Sequence, residues 1–447
     1  MKAVIAPLAC LALASARLLP PREERPARAL PAARDELPCG TPTTRGKVEF
    51  PDGMIVGGAG DFAMYSGYIN VTETDYLFYW LFEAQTNADD APLVIWSNGG
   101  PGCSAMEGAT TEHGPYVLYD VKEAGATMFG GKLTKNPHAF NKRAHVVYVD
   151  QPRYVGYSAG TGAYVTSSEA AGEDLVAFLL GFRAAFPEHA ARDIVFASES
   201  YGGHYAPAWT GAVLDYNDAQ AAAGGAPLPL VGVLVGNGIT NSTVQNGATF
   251  AAFAKESGLI AADSPISTEA AARAAMTDAL GYEFNYYDYR VKSEDACCGC
   301  MGYDYKTWAD WHLRADVLAA LHVCGDAGDK AFAGCAAGCI DFPGGFDEHD
   351  AYPYSLQLER ALDRGVNVTF YYGKDDTACN FVGGRALAGS LEFAGADAFA
   401  AAEFVEHAGF QAKSGEGLTF VQVDASSHMV PIQQGAAASF ALDSLIS

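Results

Sequence analysis

The sequence predicts an α/β fold, in which a mostly parallel central sheet is covered by helices on both faces. Continuous apolar runs bounded by turn residues are typical of strands that are buried on both faces. Helix-type segments lie between these runs, and strands that alternate with helices favour parallel pairing. The composition, with 49% hydrophobic and 18% charged residues, supplies the apolar surface that such a core needs.

The individual elements follow from hydrophobic runs and turn residues. The predicted strands are residues 64–71, 76–82, 93–96, 145–150, 194–197, 230–235, 366–372 and 418–423. The predicted helices are residues 168–186, 205–218, 354–364 and 433–444. Thr166 and Glu169 have the spacing of a capping box at the start of the first helix, and Pro187 is expected to end it.

The alternation of strands and helices stops at residues 250–351. This segment is predicted to be an inserted helical, disulfide-rich cap on a core formed by 46–249 and 352–447. Helical patterns cover 267–280 and 308–321. A second independent domain is the alternative, but the strands that resume at residue 366 would then have no sheet to join. The segment contains six clustered cysteines, Cys297, Cys298, Cys300, Cys324, Cys335 and Cys339. Cys297 and Cys300 have the spacing of a zinc-ligand pair, but an oxidising compartment favours disulfides, so no metal is expected.

The N-terminus predicts entry into the secretory pathway. Lys2 precedes an apolar run over 3–12 and then Ala14-Ser15-Ala16, which together indicate a cleaved signal peptide at 1–16. An apolar run of this length is too short for the ~20 residues of a membrane span, and no other segment comes close. Residues 17–45 are rich in proline and arginine and are interpreted as a tail or pro-segment.

The charge balance and the glycosylation sequons agree with a protein of the secretory pathway. A net charge of −25 repels polyanions, which argues against a nucleic-acid partner. Asn70, Asn241 and Asn367 each begin an acceptor sequon and are predicted glycosylation sites, although such tripeptides also arise by chance.

The segment after the strand at 194–197 carries the first chemical signal. Ser200 lies where the chain turns from that strand into a helix, and small residues, Ser198 and Gly202, stand two positions away on either side. A serine nucleophile needs such a sharp elbow, in which small side chains let the backbones pass closely. The alternative is that Ser200 only caps the helix.

Three other strand ends supply the partners of an acyl-transfer site. Glycines in 96–104 leave backbone N–H groups open to an oxyanion; a simple turn or a phosphate cradle are the alternatives, and no Walker lysine accompanies the loop. Asp376 and His428 each follow a later strand. The chain order Ser200, Asp376, His428 is that of the α/β-hydrolase fold.

Together these segments resemble the serine carboxypeptidase family, from about residue 61 to the C-terminus. The resemblance rests on the segments 96–104, 150–158, 199–205, 236–240, 373–380 and 428–431. It implies a catalytic triad, an oxyanion hole, a site for the substrate's C-terminal carboxylate, and an unpaired thiol. The triad would consist of Ser200, Asp376 and His428, and Gly100 and Tyr201 would form the oxyanion hole. The carboxylate site would comprise Asn98, Glu112, Glu199 and Trp96, and the unpaired thiol would be Cys379. The family pattern is not kept at Lys374, where an acidic residue is usual, at Ser427, where glycine is usual, or at Gln433-Gln434-Gly435, where an Asp-Gln-Pro type ending is usual.

The resemblance implies a serine-type carboxypeptidase that needs no cofactor. It would release C-terminal amino acids from peptides and proteins through an acyl-enzyme, best at acidic pH, in a vacuole or lysosome or outside the cell. An acyltransferase that uses the same triad and a non-catalytic protective or binding protein are the alternatives. Retention of Glu112, Glu199 and all three triad residues favours the peptidase.

Overall fold

The computed structural model describes residues 44–118, 131–293, 305–324, 346 and 353–446. The predicted signal peptide and nearly all of the predicted tail lie outside these ranges. So do five of the six clustered cysteines, namely Cys297, Cys298, Cys300, Cys335 and Cys339.

Most strands of the described residues form one large sheet. The strands are β1 (Gly46–Lys47), β2 (Met64–Asn70), β3 (Asp75–Phe82), β4 (Leu93–Ser97), β5 (Tyr116–Val117), β6 (Thr134–Lys135), β7 (His145–Asp150), β8 (Ala159–Gly160), β9 (Ile194–Glu199), β10 (Leu230–Gly236), β11 (Phe284–Asn285), β12 (Asp288–Lys292), β13 (Asn367–Gly373), β14 (Val405–His407), β15 (Phe410–Gly415) and β16 (Leu418–Val423). The order across the sheet is β1-β2-β3-β7-β4-β9-β10-β13-β16-β15-β14, and β8 pairs with β3. β5 pairs with β6 and β11 with β12 outside this sheet.

The centre of the sheet is parallel and both margins are antiparallel. Strands β7, β4, β9, β10, β13 and β16 pair in parallel. β1–β3 on one side and β15 and β14 on the other run antiparallel to their neighbours. This architecture confirms the predicted α/β class. It also brings the carboxyl ends of the central strands to one edge, where α/β enzymes place their sites.

Helices cover the sheet as the alternation of elements predicts. They are α1 (Ser168–Ala185), α2 (Gly202–Ala223), α3 (Ser242–Gln245), α4 (Ala248–Glu256), α5 (Glu269–Leu280), α6 (Tyr305–His312), α7 (Ala315–Ala320), α8 (Ser355–Leu362), α9 (Phe381–Ser390), α10 (Ala396–Ala401), α11 (Val430–Gln433) and α12 (Gly435–Ile446). The predicted cap of α1 is wrong by one residue. Ser167, not Thr166, is the N-cap, because its side chain accepts a hydrogen bond from Ala170 N at 3.0 Å.

Two apolar layers lie on opposite faces of the sheet, and successive strand residues alternate between them. In β13, Tyr372 belongs to the layer that includes α1, α2, α4 and α9. The preceding residue, Tyr371, belongs to the layer that includes α6, α7 and α12. Both faces of the central strands are therefore buried, which explains why these strands read as continuous apolar runs.

The predicted insert contains more than helices. Within its described part, α5 matches the predicted helix at 267–280, whereas the predicted helix at 308–321 is divided into α6 and α7. The hydroxyl of Tyr157 donates to the carbonyl of His312 at 2.7 Å, which pairs the backbone acceptor of the last residue of α6. Between α5 and α6 lies the hairpin β11–β12, which the sequence did not predict. The division into core and insert stays a prediction.

The described residues also bear on the surface predictions. Their helices include none with the length and apolar character that a membrane crossing requires. Asn70 is exposed at the end of β2, whereas Asn241 and Asn367 are partly buried. Glycosylation at these three positions stays a prediction.

Candidate active site

Ser200 lies at a strained turn between β9 and α2. Its φ angle is +60°, in the left-handed region that residues with a side chain adopt at a cost. The turn depends on small neighbours, since a Cβ added to Gly202 would lie 1.8 Å from the Oγ of Ser198. Ser198 in turn donates to the carbonyl of Ser97 on β4 at 2.5 Å. The close packing of strand and helix therefore holds the Ser200 hydroxyl at the carboxyl edge of the sheet.

The glycine loop after β4 packs directly against this turn. A Cβ added to Gly99 would lie 2.5 Å from the backbone nitrogen of Tyr201. Gly100 has a φ angle of +114°, which favours glycine. The loop that carries Gly100 therefore packs against the turn that carries Ser200 and Tyr201, so the two predicted oxyanion-hole residues lie on neighbouring segments.

Asp376 and His428 are in direct contact. The Nδ1 atom of His428 lies 2.7 Å from Oδ2 of Asp376, and both side chains are buried. The same Asp376 oxygen accepts a hydrogen bond from Nδ2 of Asn237 at 2.8 Å, and Oδ1 accepts from Ala378 N at 2.8 Å. Three donors therefore fix the carboxylate that orients the imidazole.

Ser200 is connected to this pair through the end of β10. Its backbone nitrogen donates to the carbonyl of Gly236 at 3.0 Å, and the next residue, Asn237, holds Asp376. Within the described residues, no hydrogen bond joins the Ser200 hydroxyl to the His428 ring. Such catalytic contacts are often long in a site without substrate and tighten when the substrate binds.

The predicted carboxylate-binding residues form one buried hydrogen-bond network. Nδ2 of Asn98 lies 3.0 Å from Oε1 of Glu112 and 3.0 Å from Oε1 of Glu199. Oδ1 of Asn98 accepts from Nε1 of Trp96 at 2.7 Å and from Gly108 N at 3.0 Å. Two donors on one end of the amide fix its orientation, so its NH₂ group must face the two carboxyls.

The two carboxyls cannot both ionise easily. Burial, followed by the charges of Glu112 and Glu107, raises the pKa of Glu199 well above its ordinary value. The pKa of Glu112 is raised as well, mainly by burial and then by Glu107. Because like charges this close repel in a dry site, the pair retains a proton at pH values where an exposed glutamate is ionised. The two side chains are hydrogen-bonded to each other, so they share that proton, while Asn98 donates to both Oε1 atoms.

Sequence reasoning missed three residues of this site. Glu107 is a third buried carboxyl, and it precedes the π-helical turn Gly108–Glu112. Asn237 holds Asp376, and the backbone carbonyl of Tyr287 accepts a hydrogen bond from His428 N at 3.2 Å. Of these three residues, only Asn237 could have been found from the sequence, because it lies in the segment 236–240 that carries the family resemblance.

Lys374 and Ser427, two of the departures from the family pattern, have local partners. Nζ of Lys374 lies 2.6 Å from Oδ1 of Asp424, so the cation forms an ion pair with the residue that follows β16. The backbone nitrogen of Ser427 donates to Oε1 of Gln433 at 2.7 Å. Both contacts hold the loops that carry Asp376 and His428.

Cys379 is a free thiol beside the Asp376–His428 pair, whereas Cys103 and Cys324 are in disulfides. Its sulfur and the ligand atoms of Asp376 and His428 lie within 4.8 Å of one another. Burial, and then the charges of Asp376 and Glu199, raise the pKa of this thiol well above its ordinary value. The thiol is therefore protonated at neutral pH and is expected to react slowly with alkylating reagents.

We expect an organomercurial to inactivate the protein through Cys379. Mercury binds sulfur strongly, and a bulky group at this position would displace the His428 ring. The measurement is residual activity against equivalents of mercurial added, for the wild type and for Cys379→Ser. The serine variant is expected to resist the reagent, and equal inactivation of both proteins would contradict this assignment.

The sequence and the fold of this chain are similar to those of known carboxypeptidases. The family model described as serine carboxypeptidase matches residues 56–447. Carboxypeptidase Y homolog A of Emericella nidulans is 31% identical over 420 residues, which cover 84% of this chain and 71% of that protein. The homolog A of Aspergillus niger is 30% identical over 416 residues, covering 83% and 70%.

Among solved structures, the prohormone-processing carboxypeptidase Kex1(Δ)p of Saccharomyces cerevisiae has a similar fold. The TM-score is 0.68 at 22% identity, and the match covers 90% of this chain and 95% of that one. The sequence matches extend over most of both partners, and the fold agrees with them. The chain belongs to the serine carboxypeptidase family.

Proposed function

We propose that this protein releases single amino acids from the C-termini of peptides and proteins by way of a Ser200 acyl-enzyme. One observation carries the proposal. The buried Asn98–Glu112–Glu199 network adjoins the Ser200 turn, because Glu199 is the residue immediately before the nucleophile. A group that binds a terminal carboxylate there restricts cleavage to the last peptide bond.

The chemistry divides into acylation and deacylation. The Ser200 hydroxyl attacks the last peptide carbonyl while Nε2 of His428 accepts its proton, and Asp376 stabilises the imidazolium that forms. The backbone N–H groups of Gly100 and Tyr201 donate to the oxyanion. His428 then returns the proton to the leaving amine, and the released amino acid departs. Water, activated by the same histidine, hydrolyses the ester and restores Ser200.

Recognition of the terminal carboxylate requires a proton on the carboxyl pair. A peptide carboxylate that faces two ionised glutamates would be repelled, whereas a protonated carboxyl can donate a hydrogen bond to it. Asn98 is the neutral neighbour that fixes both carboxyls for this contact.

The proposal is tested by labelling and by product analysis. The protein is treated with a fluorophosphonate, the labelled peptide is identified, and a blocked dipeptide is assayed with the wild type and with Ser200→Ala. We expect labelling at Ser200 and release of the C-terminal amino acid by the wild type alone. Labelling without release, together with transfer of the acyl group to an added alcohol, would favour an acyltransferase. Absence of both labelling and release would favour a non-catalytic protein.

We expect peptide hydrolysis to fall as pH rises through the raised pKa values of the carboxyl pair. The pair loses its proton there and repels the peptide carboxylate, so KM increases. An amidated twin of the peptide lacks that carboxylate and should keep its KM. The measurement is kcat and KM against pH for both peptides, and identical alkaline limbs would count against the proposal.

We further propose that the protein acts in the secretory pathway, in a vacuole, in a lysosome or outside the cell. A site that favours acidic pH suits a vacuole or a lysosome, and the acidic composition of the chain is tolerable there.

A further inference from the structure

Glu199, Gly236 and Tyr371 lie side by side on three neighbouring strands. Gly236 of β10 pairs in register with Glu199 of β9, and it also pairs in register with Tyr371 of β13. Residues in register on adjacent parallel strands project to the same face of a sheet. Glu199 and Tyr371 therefore share a face, and the residue between them has no side chain.

The ring of Tyr371 fills the space above Gly236. A Cβ added to Gly236 would lie 2.2 Å from Cζ and 2.4 Å from the hydroxyl oxygen of Tyr371. The phenol therefore extends across β10, and its hydroxyl comes to within about one strand spacing, ~4.8 Å, of β9 at Glu199. Glycine at position 236 is required for this approach.

Three polar atoms of Tyr371 and the carboxyl pair are buried without a partner outside that pair. Apart from the hydrogen bond between the two carboxyls, no hydrogen bond within the described residues reaches the Tyr371 hydroxyl, Oε2 of Glu112 or Oε2 of Glu199. Buried polar atoms are nearly always paired with protein or with ordered water. An internal water needs two to four polar partners, and these three oxygens supply that number.

We propose that Tyr371 is a positioning residue of the carboxyl pair, whose hydroxyl holds one buried water molecule between the outer oxygens of Glu112 and Glu199. The phenol donates to the water, and the water donates to an outer oxygen of the carboxyl pair. This assignment rests on the proposed function, because it concerns the proton that recognises the substrate carboxylate.

The groups around the carboxyl pair decide whether loss of the Tyr371 hydroxyl would raise or lower the pKa of the pair. The titratable neighbours that interact with the two carboxyls are Glu107, Tyr148, Tyr371 and Cys379. Burial, and then the charges of Glu199 and Glu112, keep the pKa of Tyr371 well above its ordinary value, so the phenol remains a donor. A donor favours the ionised form of the acid that it reaches. Removal of this hydroxyl should therefore let the pair keep its proton to higher pH.

Tyr371→Phe tests the proposal, with Tyr372→Phe as the matched control. Tyr372 is the adjacent buried tyrosine on the opposite face, and its hydroxyl donates to Gly238 O at 2.6 Å. For Tyr371→Phe we expect the alkaline rise of KM for a blocked dipeptide to move upward by about one pH unit. The pH profile of its kcat for the amidated peptide should not change. For Tyr372→Phe, the alkaline rise of KM should stay at the pH seen in the wild type. An unshifted Tyr371→Phe, or an equal shift in both variants, would overturn the proposal.

A crystal structure of the wild type gives a test that does not depend on a variant folding. We expect density for one water within hydrogen-bond distance of the Tyr371 hydroxyl and of both Oε2 atoms. Empty density there would refute the proposal. A wild type whose KM depends on pH in the same way for the peptide and its amide would instead contradict the proposed function, so the two failures are distinguishable.

Discussion

Ser200→Ala is expected to lower kcat for a blocked dipeptide by roughly 10⁴- to 10⁶-fold, the range expected when a serine hydrolase loses its nucleophile. The positive φ angle of Ser200 and the close contact between Gly202 and Ser198 present its hydroxyl at the edge of the sheet. Alanine removes the attacking oxygen and leaves the turn. The rate that remains would come from the oxyanion hole and from binding.

Ser198→Ala is the matched control for this loss. Its hydroxyl donates to a backbone carbonyl of β4 and is buried, so it cannot attack a substrate. We expect this variant to lose far less activity and to keep labelling by a fluorophosphonate. A Ser200→Ala protein that stays within about tenfold of the wild type would contradict the assignment of the nucleophile.

Asp376→Asn is expected to lower kcat by about 10⁴-fold, equivalent to about 5 kcal/mol of transition-state stabilisation. Oδ2 of Asp376 accepts from both His428 and Asn237, at 2.7 and 2.8 Å. An amide NH₂ group at that position would oppose two donors. If the amide turned to present its oxygen, it would still supply no negative charge to the imidazolium. The measurement is kcat for the blocked dipeptide under conditions where the variant remains folded.

Asp375→Asn separates this effect from a general loss of charge. Asp375 is the preceding carboxylate, it is also buried, and its Oδ2 lies 2.9 Å from Nη1 of Arg290. Loss of that ion pair should affect stability more than kcat. Equal losses of kcat in the two variants would show that the Asp376 carboxylate has no special role.

The central strands could be predicted from the sequence because burial on both faces leaves a strong local signal. β7 and β16 begin and end where the apolar runs do. The triad candidates follow from the same signal, since Ser200, Asp376 and His428 each come shortly after a central strand. Their common edge then follows from parallel pairing.

The remaining features depend on contacts between distant residues, which leave no local pattern. The carbonyl at the end of α6 pairs with the hydroxyl of Tyr157, which lies more than one hundred and fifty residues earlier in the chain. The carbonyl of Tyr287 reaches His428 only because the hairpin β11–β12 folds over the edge of the sheet. The position of Tyr371 beside Glu199 requires the strand register, which periodicity does not provide.

The most direct test is the binding of an intact peptide to the inactive Ser200→Ala protein across a range of pH. This measurement isolates recognition by Asn98 and the carboxyl pair from the protonation of His428 during catalysis. Affinity for the peptide acid should fall as pH rises, while affinity for its amide stays constant. Affinities of the acid and the amide that change in parallel with pH would contradict recognition of the C-terminus by a proton held between Glu112 and Glu199.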